Sequence, residues 1–162
     1  MNQAYFAEML EKCESYRGIF NLVKRAVKEI LGLHRVGLLL YLDNLPPHIG
    51  AYHLVGSNSI VLNKLLINLM SKSLMSKTEF NSLIFSLLLH EYLHSLGFLD
   101  EREVRRLVYE ISMKTFGDNH PTVRMAVNPP LPTVLTPLPE EYSGRQLEII
   151  REFEEIEHPY II

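Results

Sequence analysis

The chain has 162 residues, 47% of them apolar and 22% charged, with a net charge of −3, which suits one folded domain and excludes a disordered polymer. No apolar run approaches the ~18 residues of a membrane span, and the acidic total argues against nucleic acid as the main partner. A single cysteine, Cys13, excludes an intrachain disulfide and a cysteine-ligated zinc site, so any metal must be held by carboxylates and by the seven histidines.

The start, Met1-Asn2-Gln3-Ala4-Tyr5, lacks the basic and then apolar stretch of a secretory leader, and a cytoplasmic protein is expected. Residues 3–31 predict helix, with apolar positions at helical spacing before Gly18 (Tyr5, Phe6, Met9, Leu10, Cys13) and after it (Phe20, Leu22, Val23, Ala26, Val27, Ile30, Leu31). Arg35–Leu42 is a short apolar run that ends at Asp43-Asn44 and Pro46-Pro47, the pattern of a buried strand. Ala51–Val55 and Ser59–Asn63 predict strands around the turn Gly56-Ser57-Asn58, and Lys64–Leu74 predicts a helix. Ser76-Lys77-Thr78-Glu79 is a capping box. It opens a helix to Leu96, apolar on all sides and therefore central, that stops at Gly97. A second box at Asp100-Glu101-Arg102-Glu103 opens a helix to about Thr115.

Residues 117–139 read as irregular, and six of the nine prolines fall between Pro121 and Pro139. Ser143-Gly144-Arg145-Gln146 predicts the start of a last helix of about three or four turns, in a segment, residues 140–157, that holds seven Glu and two Arg. The chain therefore divides into a compact unit over 1–128, a proline-rich connector over 129–139 and an acidic helical arm over 140–162. The arm is expected to pack on the domain, on a second copy in a homodimer, or over the cleft, where Glu155, Glu157 or His158 would block the site. Cys13, a conceivable blocking thiolate, sits on an apolar helical face and reads as core.

The central helix ends in His90-Glu91-Tyr92-Leu93-His94. Residues four apart share a helix face, so both imidazoles reach one ion. Glu91 lies about 100° round the helix, beside the metal but not bound to it. Two histidines and a glutamate in an apolar helix are costly without partners. The bland alternative is a pair of core histidines bonded to carbonyls, with Glu91 paired to an arginine.

The longer stretch, H-E-x-x-H-x-x-G-x-x-D over residues 90–100, resembles the zincin metallopeptidases and has the spacing of the metzincin branch. The resemblance implies an α+β fold, a small zincin-like domain with a short mixed sheet, a buried central helix and flanking helices. It implies Zn2+ as cofactor, His90, His94 and Asp100 as ligands, and Glu91 as the general acid/base that takes a proton from water on the metal. It also implies Met125 as a methionine in a tight turn below the metal, with Met113 the lesser candidate. Asp100 has a competing role as helix N-cap. Glu101 and Glu103 are the other third-ligand candidates, and Glu110 a weaker one. A glutamate from a following helix would be the gluzincin arrangement, and the small size is similar to that of the minimal gluzincins.

Substrate would be a peptide or protein, extended along an edge strand at Ile60, Val61 and Leu62. The residue that stabilises the transition state is open, with His120 and Tyr109 as candidates. Two other readings use the same segment. Leu87–Glu110, with Arg102, Arg105 and Arg106 on its second helix, has the outline of a helix-turn-helix DNA-binding unit. The His spacing also resembles the YbeY-type metal-dependent endoribonucleases, from which Glu91 and Asp100 both depart. A purely structural metal is the non-catalytic alternative.

Overall fold

The computed structural model describes residues 2–73, 75–129 and 144–154. Over these the fold is α+β, with six helices and a four-stranded mixed sheet. The expected connector and arm therefore lie mostly outside the described residues, as do Glu155, Glu157 and His158.

Asn2 and Ser15 accept hydrogen bonds from the first free amides of α1 (Gln3–Lys12) and α2 (Tyr16–Leu31). The expected 3–31 helix is thus two helices, broken where Ser15 turns extended to cap the second. The sheet follows. Strand β1 (Leu39–Asp43) begins four residues later than the apolar run at Arg35, and β2 (Ala51–His53) and β3 (Ser59–Asn63) complete the first part. β1 runs parallel to β3, with Tyr41 opposite Val61, while β2 runs antiparallel to β3, with Tyr52 opposite Val61. Leu40, Leu42, Ile60 and Leu62 point into the core.

Asn63, fully buried, ties this region together. Its Oδ1 accepts from the amides of Leu65 and Leu66 at the start of α3 (Lys64–Ser71) and from Leu45 N. Its Nδ2 donates to the carbonyls of Leu45, Pro46 and Ile49. The loop that delivers β2 is thereby fixed to the end of β3.

Helix α4 (Lys77–Ser95) starts at the expected capping box, with both reciprocal bonds between Ser76 and Glu79 present. It packs against α1, α2, α5, α6, β2 and β3. That position explains why Leu83, Ile84, Phe85, Leu88, Leu89, Tyr92 and Leu93 are all buried. Its C-terminal end is held by Arg35, whose guanidinium donates to Ser95 O at 2.6 Å and Ser57 O at 3.1 Å. Gly97 then takes φ +106°, a conformation glycine allows at little cost, and the chain turns into α5 (Glu101–Phe116).

Two expectations are corrected after α5. The stretch from 117 is not all irregular: α6 (Pro121–Val127) has Pro121 in its first turn and His120 as N-cap, Nδ1 accepting from Thr122 N. The segment after Ser143 is not helical where it is described. The Gln146 amide, which a helix would turn toward its own cap, donates instead to Asp43 Oδ1 at 2.6 Å, and Arg145 Nε pairs with Asp43 Oδ2 at 2.6 Å. Glu148–Ile150 forms β4, antiparallel to β1. The sheet order is β2-β3-β1-β4. Phe153 is buried and stacks on Phe20 at 4.3 Å, and Glu154 accepts from the amides of Gly37 and Leu38. Residues 144–154 thus complete the sheet, at the edge opposite β2. No helix among the described residues is long and apolar enough to cross a membrane.

Candidate metal centre

His90 and His94 occupy the last two turns of α4, and Glu101 opens α5 across the Gly97 turn. Glu101 Oε1 lies 3.0 Å from His90 Nε2 and 2.6 Å from His94 Nε2. One atom from each of the three lies within 4.8 Å of the others. The local chain dictates much of this. His94 Nδ1 is 2.7 Å from Phe98 O. A carbonyl only accepts, so Nδ1 carries the hydrogen and Nε2 is left, in the neutral ring, with a lone pair. That lone pair faces a carboxylate oxygen, itself an acceptor. The two acceptors stand at hydrogen-bond distance, which a proton between them satisfies directly; a zinc ion held at about 2.0–2.1 Å from each would require them to move farther apart.

Burial lowers the His90 pKa, which favours the neutral, ligand-competent ring, although Glu101 pulls the other way. Burial raises the Glu101 carboxyl, but the His90 and His94 hydrogen bonds together outweigh it, and the net shift is down toward the anion. Two imidazoles and one carboxylate match the donor set zinc accepts at a site with an open position. The residues present therefore fit the ion that the motif implies.

Glu91 is 6% exposed. Burial pushes its carboxyl up to about 7, with Glu101 adding to the rise and His94 opposing it. It lines two cavities that share Ala51, Glu91 and Glu101, one touching His90 and the other His94. The larger, about 420 Å³, is walled by Leu83, Leu87, Val108 and Met125 and also touches His90, Glu101 and Arg105. The smaller, about 250 Å³, is lined by Ala51, Tyr52, His53, Val55 and Leu99 together with His94 and Glu101. A buried proton acceptor near neutrality, set beside two imidazoles and open to two cavities, is equipped for general acid–base work.

The other expected site residues fall elsewhere. Asp100 caps α5, its Oδ1 accepting from Arg102 N at 3.0 Å, and the residue that reaches the histidines is Glu101. Glu103 is exposed on the first turn of α5, and Glu110 pairs with Arg106. Met125 is buried against the larger cavity, but within helix α6 and not in a tight turn. Ile60, Val61 and Leu62 are not on an edge: β3 lies between β2 and β1, so its backbone groups are already paired on both sides. The edge beside the site is β2. His120 stacks on Phe116 at 4.4 Å, and neither it nor Tyr109 lines either cavity. Burial, and secondarily Arg124, lowers the His120 pKa to about 4. Cys13 donates to Met9 O, and burial raises its thiol away from the thiolate.

Tyr52 and His53 escaped the sequence reading as site residues, and Arg105 entered it only through the DNA-binding outline. Arg105 had a usable signal, since it stands one helical turn after Glu101. For the β2 residues the signal is the strand order, which no local pattern carries.

No protein-family model, no curated protein and no solved structure matches this chain.

Proposed function

We propose that the protein is a zinc-dependent peptidase, with His90, His94 and Glu101 as the metal ligands and Glu91 as the general acid/base. The observation that carries this is the convergence of both Nε2 atoms on one Glu101 oxygen, beside a buried carboxyl held near neutrality. Zinc in this position supplies Lewis acidity, which polarises a substrate carbonyl and acidifies water. Phe98 O fixes the His94 tautomer, and the Gly97 turn brings Glu101 over the histidine face. Glu91 accepts the proton of the attacking water and passes it to the leaving amine. Among the described residues β2 is the sheet edge beside the cleft, and such an edge offers backbone groups to an extended chain, which favours a peptide over other substrates. A cytoplasmic setting is part of this proposal.

The DNA-binding outline has less support. Arg106 is hydrogen-bonded to Glu110, and the first turn of the helix it occupies holds Glu101 and Glu103.

The test separates binding from chemistry. Glu91→Ala is expected to keep one zinc per chain and to lose peptide hydrolysis by 100-fold or more, roughly the scale of general acid–base catalysis. His94→Ala is expected to lose both. Full activity in Glu91→Ala would reject the mechanism.

A further inference from the structure

Among the described residues the larger cavity has an apolar wall and one arginine. Leu83, Leu87, Val108 and Met125 form the wall, and the arginine is Arg105, one turn after Glu101 on α5. Its Nε lies 3.7 Å from Glu101 Oε2, while Oε1 of the same carboxylate faces the two histidines. That separation makes an ion pair without a hydrogen bond. Among the described residues the guanidinium makes no hydrogen bond at all, and its side chain is 72% exposed. Every N–H donor of the fork is therefore available, one carboxylate away from the metal ligands. If Glu101 gives its charge to a metal ion, Arg105 is left with still less of an anionic partner.

We propose that Arg105 is a specificity-determining residue that takes a carboxylate of the peptide substrate while the apolar wall takes a neighbouring side chain. This rests on the peptidase reading above. The planar fork of arginine matches a carboxylate in two parallel hydrogen bonds, and a single guanidinium balances a single negative charge. Glu91 and Glu101 border the same cavity and disfavour a more highly charged group such as phosphate. One residue of extended chain spans at most about 3.3–3.6 Å, so a carboxylate a residue or so from the scissile bond falls within reach of the fork. Such a carboxylate is either the free C-terminus of the substrate or an Asp or Glu side chain within it.

Matched peptide pairs distinguish the two sources. One pair differs only in a C-terminal carboxylate against an amide, and the other only in an internal Glu against Gln. In the zinc-loaded protein the carboxylate member of at least one pair is expected to have roughly tenfold higher kcat/KM, the scale of a charge-assisted pair in a partly exposed site. Arg105→Gln is expected to bring that ratio to about one. Arg105→Lys, which keeps the charge but not the fork, should leave an intermediate ratio. The same comparison is made without chemistry by NMR titration of acetyl-leucine against acetyl-leucinamide, and of acetyl-glutamate amide against acetyl-glutamine amide. No preference in the parent protein overturns the proposal. So does a preference that survives Arg105→Gln, which would send the carboxylate to the metal, or an equal loss on both members, which would leave Arg105 only a partner of Glu101. If no peptide is cleaved but a binding preference is present and vanishes in Arg105→Gln, the peptidase reading fails and the carboxylate site stands.

Discussion

Burial holds the Glu91 proton to about pH 7, against an ordinary 4.5. A carboxyl that keeps its proton to higher pH in the native state than in the unfolded chain carries no penalty below pH 4.5. It costs stability progressively as pH rises from 4.5 through 7. The full difference is about 3 kcal/mol. In protein stripped of metal by a chelator, Glu91→Gln is therefore expected to match the parent at pH 4 and to exceed it at pH 8, with urea unfolding as the measurement. Equal stability of the two at pH 8 would mean that the buried carboxyl is solvated after all. Asp100 and Glu101 separate in the same residue-by-residue way. Asp100→Ala removes a helix cap and should cost about 1 kcal/mol with zinc retained. Glu101→Gln should leave folding intact and weaken zinc binding at least tenfold, as read by competition with a colorimetric chelator.

The elements show why one part of the site was legible and another was not. His90, Glu91 and His94 lie within five residues of one helix, and helical periodicity alone sets which face they share. Which acidic residue joins the two histidines depends on the path of the chain after α4. The Gly97 turn and the Phe98 carbonyl, held by His94, deliver Glu101 inward and leave Asp100 to the amide of Arg102. Neighbouring acidic residues with equal chemistry differ only in that geometry, so spacing could not choose between them. Strand β2 was read correctly as a strand, but its place on the edge follows from the pairing of β1 with β3. Asn63 anchors this arrangement from the end of β3. Asn63→Leu is expected to destabilise the protein by about 3 kcal/mol, because it leaves buried amides and carbonyls of the β2 loop without partners. Thermal unfolding measures the cost, and the loop should gain hydrogen exchange at Leu45.

At the scale of the molecule, the acidic end of the chain reads differently in sequence and in structure. Ser143-Gly144-Arg145-Gln146 looks like a helix start, yet Asp43, a hundred residues earlier, takes the Gln146 amide and the Arg145 guanidinium. The open edge of β1 then accepts Glu148–Ile150. Tertiary pairing overrode a local signal that had no information about that edge. Residues 144–154 bind on the far side of the sheet from β2, and Phe153 enters the core. What they contribute is completion of the sheet on which the β2–α4 cleft is built. The core helix, the first three strands and the two-histidine face were foreseeable from patterns of a few residues. The edge position of β2 and the strand β4 arise only when distant segments meet, whereas the choice of Glu101 over Asp100 is made by the geometry of the Gly97 turn.

The central claim is a metal centre built by His90, His94 and Glu101. Zinc K-edge X-ray absorption on protein reconstituted with one equivalent of zinc tests it most directly. The expected result is a single site with two imidazoles and an oxygen-only remainder in the parent, and no retained zinc in His94→Ala. Failure to retain one equivalent of zinc, or a coordination shell unchanged by His94→Ala, would contradict it.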